Sequence, residues 1–271
     1  MSNMIISASR RTDIPSCYSE WFFDKIKEKV VHVKNPMNHS QIRTVSLTPE
    51  DVDCIVFWTK NPSPMINNLD KLNAYKYYFQ FTLNPYDQDI ETNLPSKKEI
   101  IDTFKLLSDK IGKEKVIWRY DPVLLTDKYN IQYHIDNFGK LAHSLKDHTE
   151  KVTFSFIDFY KKIMKNIKLN NIRELTLEEK YIIAENFSLI AKANNLIIDT
   201  CAEAIDLSNF GIQHARCIDD GLISKITGKN FPAKKDASQR LECGCVKSVD
   251  IGEYYTCFNG CVYCYAGFGV R

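Results

Sequence analysis

The sequence has little that would mark a membrane or secreted protein. No apolar run in its 271 residues reaches the ~18 needed to span a bilayer. The opening residues MSNMIISASRRTD lack a basic lead, a long apolar stretch and a small-residue cleavage site in succession. No signal peptide is expected, and a cytoplasmic location follows as the default. Charge of one sign is also scarce, with 36 Lys and Arg against 34 Asp and Glu and a net charge of +2. That balance does not argue for a nucleic-acid partner, nor does it exclude one, and it leaves the oligomeric state open. No short-period repeat, low-complexity segment or long linker divides the chain, so one domain over 1–271 is expected.

Cysteine is what the chain has in excess. Of nine cysteines, Cys17 and Cys54 stand alone in the first 200 residues. Cys201, Cys217, Cys243, Cys245, Cys257, Cys261 and Cys264 crowd into 200–271, a cysteine-rich C-terminal part of that domain. An odd number of thiols in a reducing compartment argues against a disulfide framework and for metal or redox chemistry. Cys17 and Cys54 read as small buried residues.

Short β-branched or aromatic runs alternate with amphipathic ones. Strands are expected at 4–9, 53–61, 77–84, 116–124, 151–160, 196–203 and 246–252, and helices at 18–29, 65–74, 96–113, 130–145, 176–194 and 215–227. The runs VVHVKNP and IRTVSLT suit a small hairpin or a loop excursion. Repeated strand–helix units predict an α/β fold with a parallel sheet, closed fully or partly into a TIM-like (β/α) barrel; an open doubly wound sheet is the competitor. In such barrels the C-terminal ends of the strands carry the site. Here those ends turn polar: SRRTD supplies Ser9, Arg10, Arg11, Thr12 and Asp13, WTKNP supplies Lys60, and WRYDP sets Arg119 and Asp121 on one face. Guanidiniums bind carboxylates and phosphates through paired donors, so a polar, anionic ligand is expected.

Near the end, YYTCFNGCVYCYAG spaces Cys257, Cys261 and Cys264 as C-x3-C-x2-C. Three thiolates on one loop leave one iron of a 4Fe–4S cluster open to another ligand, whereas zinc more often takes paired two-residue gaps. This array, with Tyr263 before its last cysteine, resembles the cluster motif of radical S-adenosylmethionine enzymes. The resemblance implies a 4Fe–4S cluster on Cys257, Cys261 and Cys264. Its open iron would chelate S-adenosylmethionine, whose reductive cleavage gives a 5′-deoxyadenosyl radical. It further implies an electron donor such as a ferredoxin or flavodoxin.

The motif stands at the wrong end, because that family carries it after the first strand of a partial barrel. A circular permutation preserves the geometry if the last strand lies beside the first. FWTKNPSPMINNLDKL, QFTLNP and VIWRYDPVLL resemble segments of the spore photoproduct lyase-like branch. Over nearly its whole length the chain is similar to a family of uncharacterised bacterial proteins, the domain of unknown function 1848, which brings no assigned reaction. The Gly-Gly-Glu stretch that holds the methionine amino group in many radical S-adenosylmethionine enzymes is absent, and SRRTD would fall in its place. Ser9, Thr12 or Asp13 would then meet the amino group, and Arg10, Arg11 or Arg119 a carboxylate. The competing reading makes Arg10 and Asp13 a structural ion pair.

Cys201, Cys217, Cys243 and Cys245 make up four further thiols, enough for a second 4Fe–4S cluster or a zinc ion. Tyr120, Tyr263 and Tyr265 are positional candidates for a hydrogen-atom donor. Two readings of the whole emerge: a radical S-adenosylmethionine-like enzyme, or a non-catalytic iron–sulfur protein for electron transfer or redox sensing. A third, zinc-stabilised nucleic-acid binding, rests on the basic run KKIMKNIKLNNIR.

Overall fold

The structure is a computed structural model that describes residues 4–231 and 234–269. In chain order its elements are β1 (Met4–Ala8), α1 (Ile14–Cys17), α2 (Ser19–Glu28), β2 (Val30–Asn35), β3 (Asn38–Ser46), β4 (Val52–Thr59), α3 (Ser63–Ile66), β5 (Tyr77–Thr82) and α4 (Lys97–Ile111). They continue with β6 (Val116–Val123), α5 (Ile131–Leu145), β7 (Lys151–Phe156), α6 (Met164–Leu169), α7 (Leu177–Ala193), β8 (Ile197–Thr200), β9 (Gln213–His214), α8 (Asp220–Thr227) and β10 (Val249–Asp250).

Eight strands form one all-parallel sheet in the order β10-β1-β4-β5-β6-β7-β8-β9, while β2 and β3 make a separate antiparallel hairpin. Among the described residues no pairing joins β9 to β10, so the sheet is open there. The last strand lies against the first, with Ile6 opposite Val249 and Ser7 opposite Asp250. That neighbourhood brings the C-terminal cysteine loop to the residues following β1.

Successive side chains of a strand point to opposite faces, and both faces are used. Ile55 and Phe57 of β4, Phe79 and Phe81 of β5, and Trp118 and Tyr120 of β6 join the large core, with Phe22 of α2, Phe104 of α4, Phe138 of α5 and Phe187 of α7. The alternate residues Cys54, Val56, Tyr78 and Ile117 form a smaller apolar cluster on the opposite face, together with Cys217, Cys243 and Cys245. Cys54 is fully buried, as expected. Capping boxes start two of the covering helices, Ser96 with Glu99 for α4 and Thr176 with Glu179 for α7.

Several expected boundaries shift for local reasons. The helix expected at 65–74 breaks into α3 and a 3-10 turn at Leu69–Leu72, because Asn67 and Asn68 favour caps and turns over helix interiors. The helix expected from 215 begins at Asp220, since Asp219 accepts from the amides of Gly221 and Leu222 as an N-cap. Tyr120 belongs to the buried outer core and bonds His134 Nδ1 at 2.7 Å, on the face of β6 opposite Arg119. Its outward position removes it from the tyrosines beside the site.

Candidate functional site

A cavity of about 660 Å³ opens over the C-terminal ends of the parallel strands. Its size suits a cofactor or small substrate. Of the residues singled out from the sequence, the SRRTD segment, Lys60, Arg119, Asp121, Tyr263, Tyr265 and seven cysteines line it, and Tyr120 does not. Residues about 250 positions apart in the chain meet there because β10 pairs with β1.

Asp250 organises the SRRTD turn. Its carboxylate accepts from Ser9 Oγ at 2.6 Å, the Arg10 amide at 2.8 Å and Ser7 Oγ at 2.9 Å. Arg11 Nε lies 3.9 Å from it. Asp13 ties three segments together. One oxygen caps α1 through the Ser16 amide at 3.0 Å, and the other accepts from the Lys60 amide at 2.7 Å and Asn259 Nδ2 at 2.8 Å. No Arg10–Asp13 ion pair forms among the described residues; Asp13 already has three donors, and Arg10 lies instead over the Trp58 ring. Burial holds the Asp13 carboxyl above its ordinary value despite those donors. The Arg119 guanidinium also lies over Trp58, 5.1 Å from the ring centroid against 5.3 Å for Arg10. Arg10 Nη2, Thr12 Oγ1 and Trp58 Nε1 are buried without a hydrogen-bond partner. Buried polar atoms left so are uncommon, and these three line the cavity, where each could bond a ligand.

The loop bearing Cys257, Cys261 and Cys264 is clamped by distant segments. Glu91 bridges Cys261 in a strand-like pairing, the Val262 amide donates to the Ile90 carbonyl at 3.0 Å, and Asn93 Nδ2 to the Phe258 carbonyl at 2.8 Å. On the N-terminal side, Tyr18 Oη donates to the Thr256 carbonyl at 2.6 Å and Tyr265 Oη to the Arg10 carbonyl at 2.9 Å. The basic run reaches the same loop: Lys162 Nζ donates to the Tyr265 carbonyl at 3.2 Å and Asn166 Nδ2 to the Val262 carbonyl at 3.1 Å.

Tyr263 is tied down by its hydroxyl. Lys60 Nζ donates to it at 2.7 Å and to Glu91 Oε1 at 2.9 Å, while Tyr263 Oη donates to that same oxygen. Asn84 and Lys97 complete the network on Glu91. Burial raises the Glu91 carboxyl, but Lys60 and Lys97 outweigh it and bring it down to about 2. Glu91, Lys97 and Asn259 were not singled out from the sequence; isolated polar residues in a loop or at a helix start carry no local signal.

The thiols fall into two groups. Burial raises Cys261 and Cys264, and a hydrogen bond with Cys17 together with burial raises Cys257. Cys17 is therefore not the buried core residue expected: it is half-buried, with its sulfur against Cys257. Cys201 and Cys217 lie 3.4 Å apart, and hydrogen bonds continue from Cys217 to Cys245 and on to Cys243. Arg119 Nη1 donates to Cys217 Sγ at 2.8 Å, and Nη2 bonds Asp121. The hydrogen bond with Cys245 draws the Cys243 thiol down to about 7. Among the described residues no three Cys, His, Asp or Glu side chains converge as a preformed single-ion site would require. A cluster makes a different demand, because its thiolates attach to separate irons and stand around a volume.

Fold and site together define an open, all-parallel α/β protein with a cysteine-lined cavity at the carboxyl edge of its sheet. The chain belongs to the family described as domain of unknown function (DUF1848), whose model matches residues 5–266. No curated protein and no solved structure matches it.

Proposed function

We propose that this protein is an iron–sulfur enzyme of the radical S-adenosylmethionine type, with a partial (β/α) barrel permuted so that its cluster loop closes the chain. One observation carries the reading: Cys257, Cys261 and Cys264 share a cavity with the SRRTD turn of the adjacent strand, where buried Arg10 Nη2 and Thr12 Oγ1 have no partner. When bound, the cluster supplies the electron for reductive cleavage of S-adenosylmethionine. The chain's own residues bind and orient. Cys257, Cys261 and Cys264 hold the cluster, and the Glu91–Lys60–Tyr263 network fixes their loop. Ser9 and Asp13 are committed to Asp250 and α1, so Thr12 takes the methionine amino group and Arg10 its carboxylate. Cys201, Cys217, Cys243 and Cys245 hold a second 4Fe–4S cluster beside Arg119. A flavodoxin or ferredoxin in the cytoplasm is the electron donor.

Anaerobic reconstitution with iron and sulfide tests this, followed by electron paramagnetic resonance of the reduced protein with and without S-adenosylmethionine. A signal that shifts on addition, and is lost in Cys257→Ala, supports the open-iron site. The four thiols linked in sequence from Cys201 through Cys217 and Cys245 to Cys243 favour a second reading, a non-catalytic iron–sulfur protein with a fully ligated cluster. It requires a signal indifferent to S-adenosylmethionine. Zinc in place of iron would sink both.

A further inference from the structure

Cys257 lines the cavity, and Cys17, which does not, interacts with it through its thiol. The segments carrying them run side by side. Ser16 Oγ donates to Asn259 Oδ1 at 3.2 Å, Tyr18 Oη donates to the Thr256 carbonyl at 2.6 Å, and the Tyr18 and Phe258 rings lie 5.9 Å apart. Asp13 ties the start of α1 to the same Asn259. Contacts on either side of each cysteine thus hold Cys17 opposite Cys257, where the two thiols interact. Cys17 is absent from the cavity that Cys257, Cys261 and Cys264 line, so it is placed to react with Cys257 and not to join the three-thiol ligand set.

We propose that Cys17 and Cys257 form a redox-active dithiol that closes to a disulfide on oxidation and so removes Cys257 from the three-thiol loop. The removal of a ligand rests on the function proposed above; the disulfide itself does not. With a small disulfide such as oxidised glutathione as oxidant, the Cys17 thiolate attacks one of its sulfurs and releases one glutathione thiol. The Cys257 thiolate then attacks Cys17 Sγ in the mixed disulfide and expels the second. Two protein thiols are oxidised, one small disulfide is reduced to two thiols, and the protons leave with those thiols. Assembly of the site is then confined to a reduced protein.

The test treats the full-length apoprotein with oxidised glutathione, blocks remaining thiols, digests with trypsin and maps crosslinks by mass spectrometry. Cys17 falls in fragment 12–25 and Cys257 in fragment 248–271. Because the latter also holds Cys261 and Cys264, a Cys261→Ser/Cys264→Ser variant identifies the linked residue. The expected result is a 12–25 to 248–271 crosslink that survives in this double variant and disappears in Cys17→Ser. Reduced Cys17→Ser should load iron and sulfide within twofold of wild type. Absence of the crosslink, its loss in the double variant, or a severalfold loss of iron in reduced Cys17→Ser would each overturn the proposal, the last by making Cys17 a ligand. A crosslink in a protein that takes up no iron even when reduced upholds the dithiol and removes the iron–sulfur reading alone.

Discussion

Two groups of thiols face one cavity, and the protein holds them in opposite ways. Cys257, Cys261 and Cys264 sit on a single loop whose backbone is bonded to residues at 18, 90, 93, 162 and 166 and whose Tyr265 hydroxyl donates to the carbonyl of residue 10. Order there comes largely from the scaffold; within the group the Cys264 amide donates to the Cys261 carbonyl at 3.0 Å. Cys201, Cys217, Cys243 and Cys245 come from three separate segments, and their sulfurs are linked to one another. Guanidinium charge lies against this second group, through the Arg119 bond to Cys217 and through Arg10 nearby. The contrast suggests a division of labour: a loop presenting spaced thiols to an open cavity suits a site that admits a further ligand, and a self-contacting quartet suits one that is complete.

The sharpest way to break this comparison is to empty the groups in turn. Replacing Cys257, Cys261 and Cys264 together by Ala should abolish the S-adenosylmethionine-dependent change in the resonance signal entirely. Cys243→Ser/Cys245→Ser should instead lower iron from about eight to about four per chain while leaving that change in place. If either variant removed both features, the two groups would be one site and the division would be wrong.

A smaller effect probes the scaffold of the first group. Glu91 is 2% exposed and faces Lys60 and Lys97. Glu91→Gln leaves a buried lysine without its counter-charge, which costs about 3 kcal/mol, read from urea unfolding at neutral pH. The pH dependence has a definite sign. Because the folded carboxyl is depressed to about 2, its stabilisation is complete above the unfolded value near 4.5 and disappears as pH falls through about 2. The acid limb of wild-type stability should therefore flatten in Glu91→Gln. An equally steep limb would move the acid sensitivity elsewhere.

The parts of this protein legible in its sequence are those encoded locally. Strands buried on both faces read as nearly continuous apolar runs, which is why CIVFW of β4 and VIW of β6 declare themselves. The two-residue β9 has no such run and escapes notice. The three-cysteine loop is legible because its spacing is itself the signal, and its place beside β1 follows from the strand before it. Asp250, Glu91 and Asn259 are silent, since each acquires its meaning only from partners far away in the chain. Asp13 shows how a visible residue can mislead: next to two arginines it invites an ion pair, yet the nearby amides of Ser16 and Lys60 take it first. Cys17 misleads in the same way, because nothing around IPSC tells that Cys257 will lie against it.

The smallest effect belongs to the quartet's side. Glu203 follows Cys201 in the turn after β8, where it accepts from the Phe156 amide at 2.7 Å. Burial pushes its carboxyl up to about 7. A folded value above the unfolded one means that ionisation opposes folding: the neutral acid is favoured at low pH, and this advantage is lost as pH rises through about 7. Glu203→Gln keeps a carbonyl to accept from Phe156 and removes the charge. It should stabilise the protein by roughly 1–2 kcal/mol at pH 8, after allowance for partial exposure, and by almost nothing at pH 4. Urea unfolding of both proteins at the two pH values measures the difference. A Gln variant equally stable at both would mean that Glu203 titrates as an exposed carboxylate and that the turn carrying Cys201 is open to water. The first group, held by its buried Glu91, should show the opposite dependence, losing stability toward acid where the Glu203 side gains it.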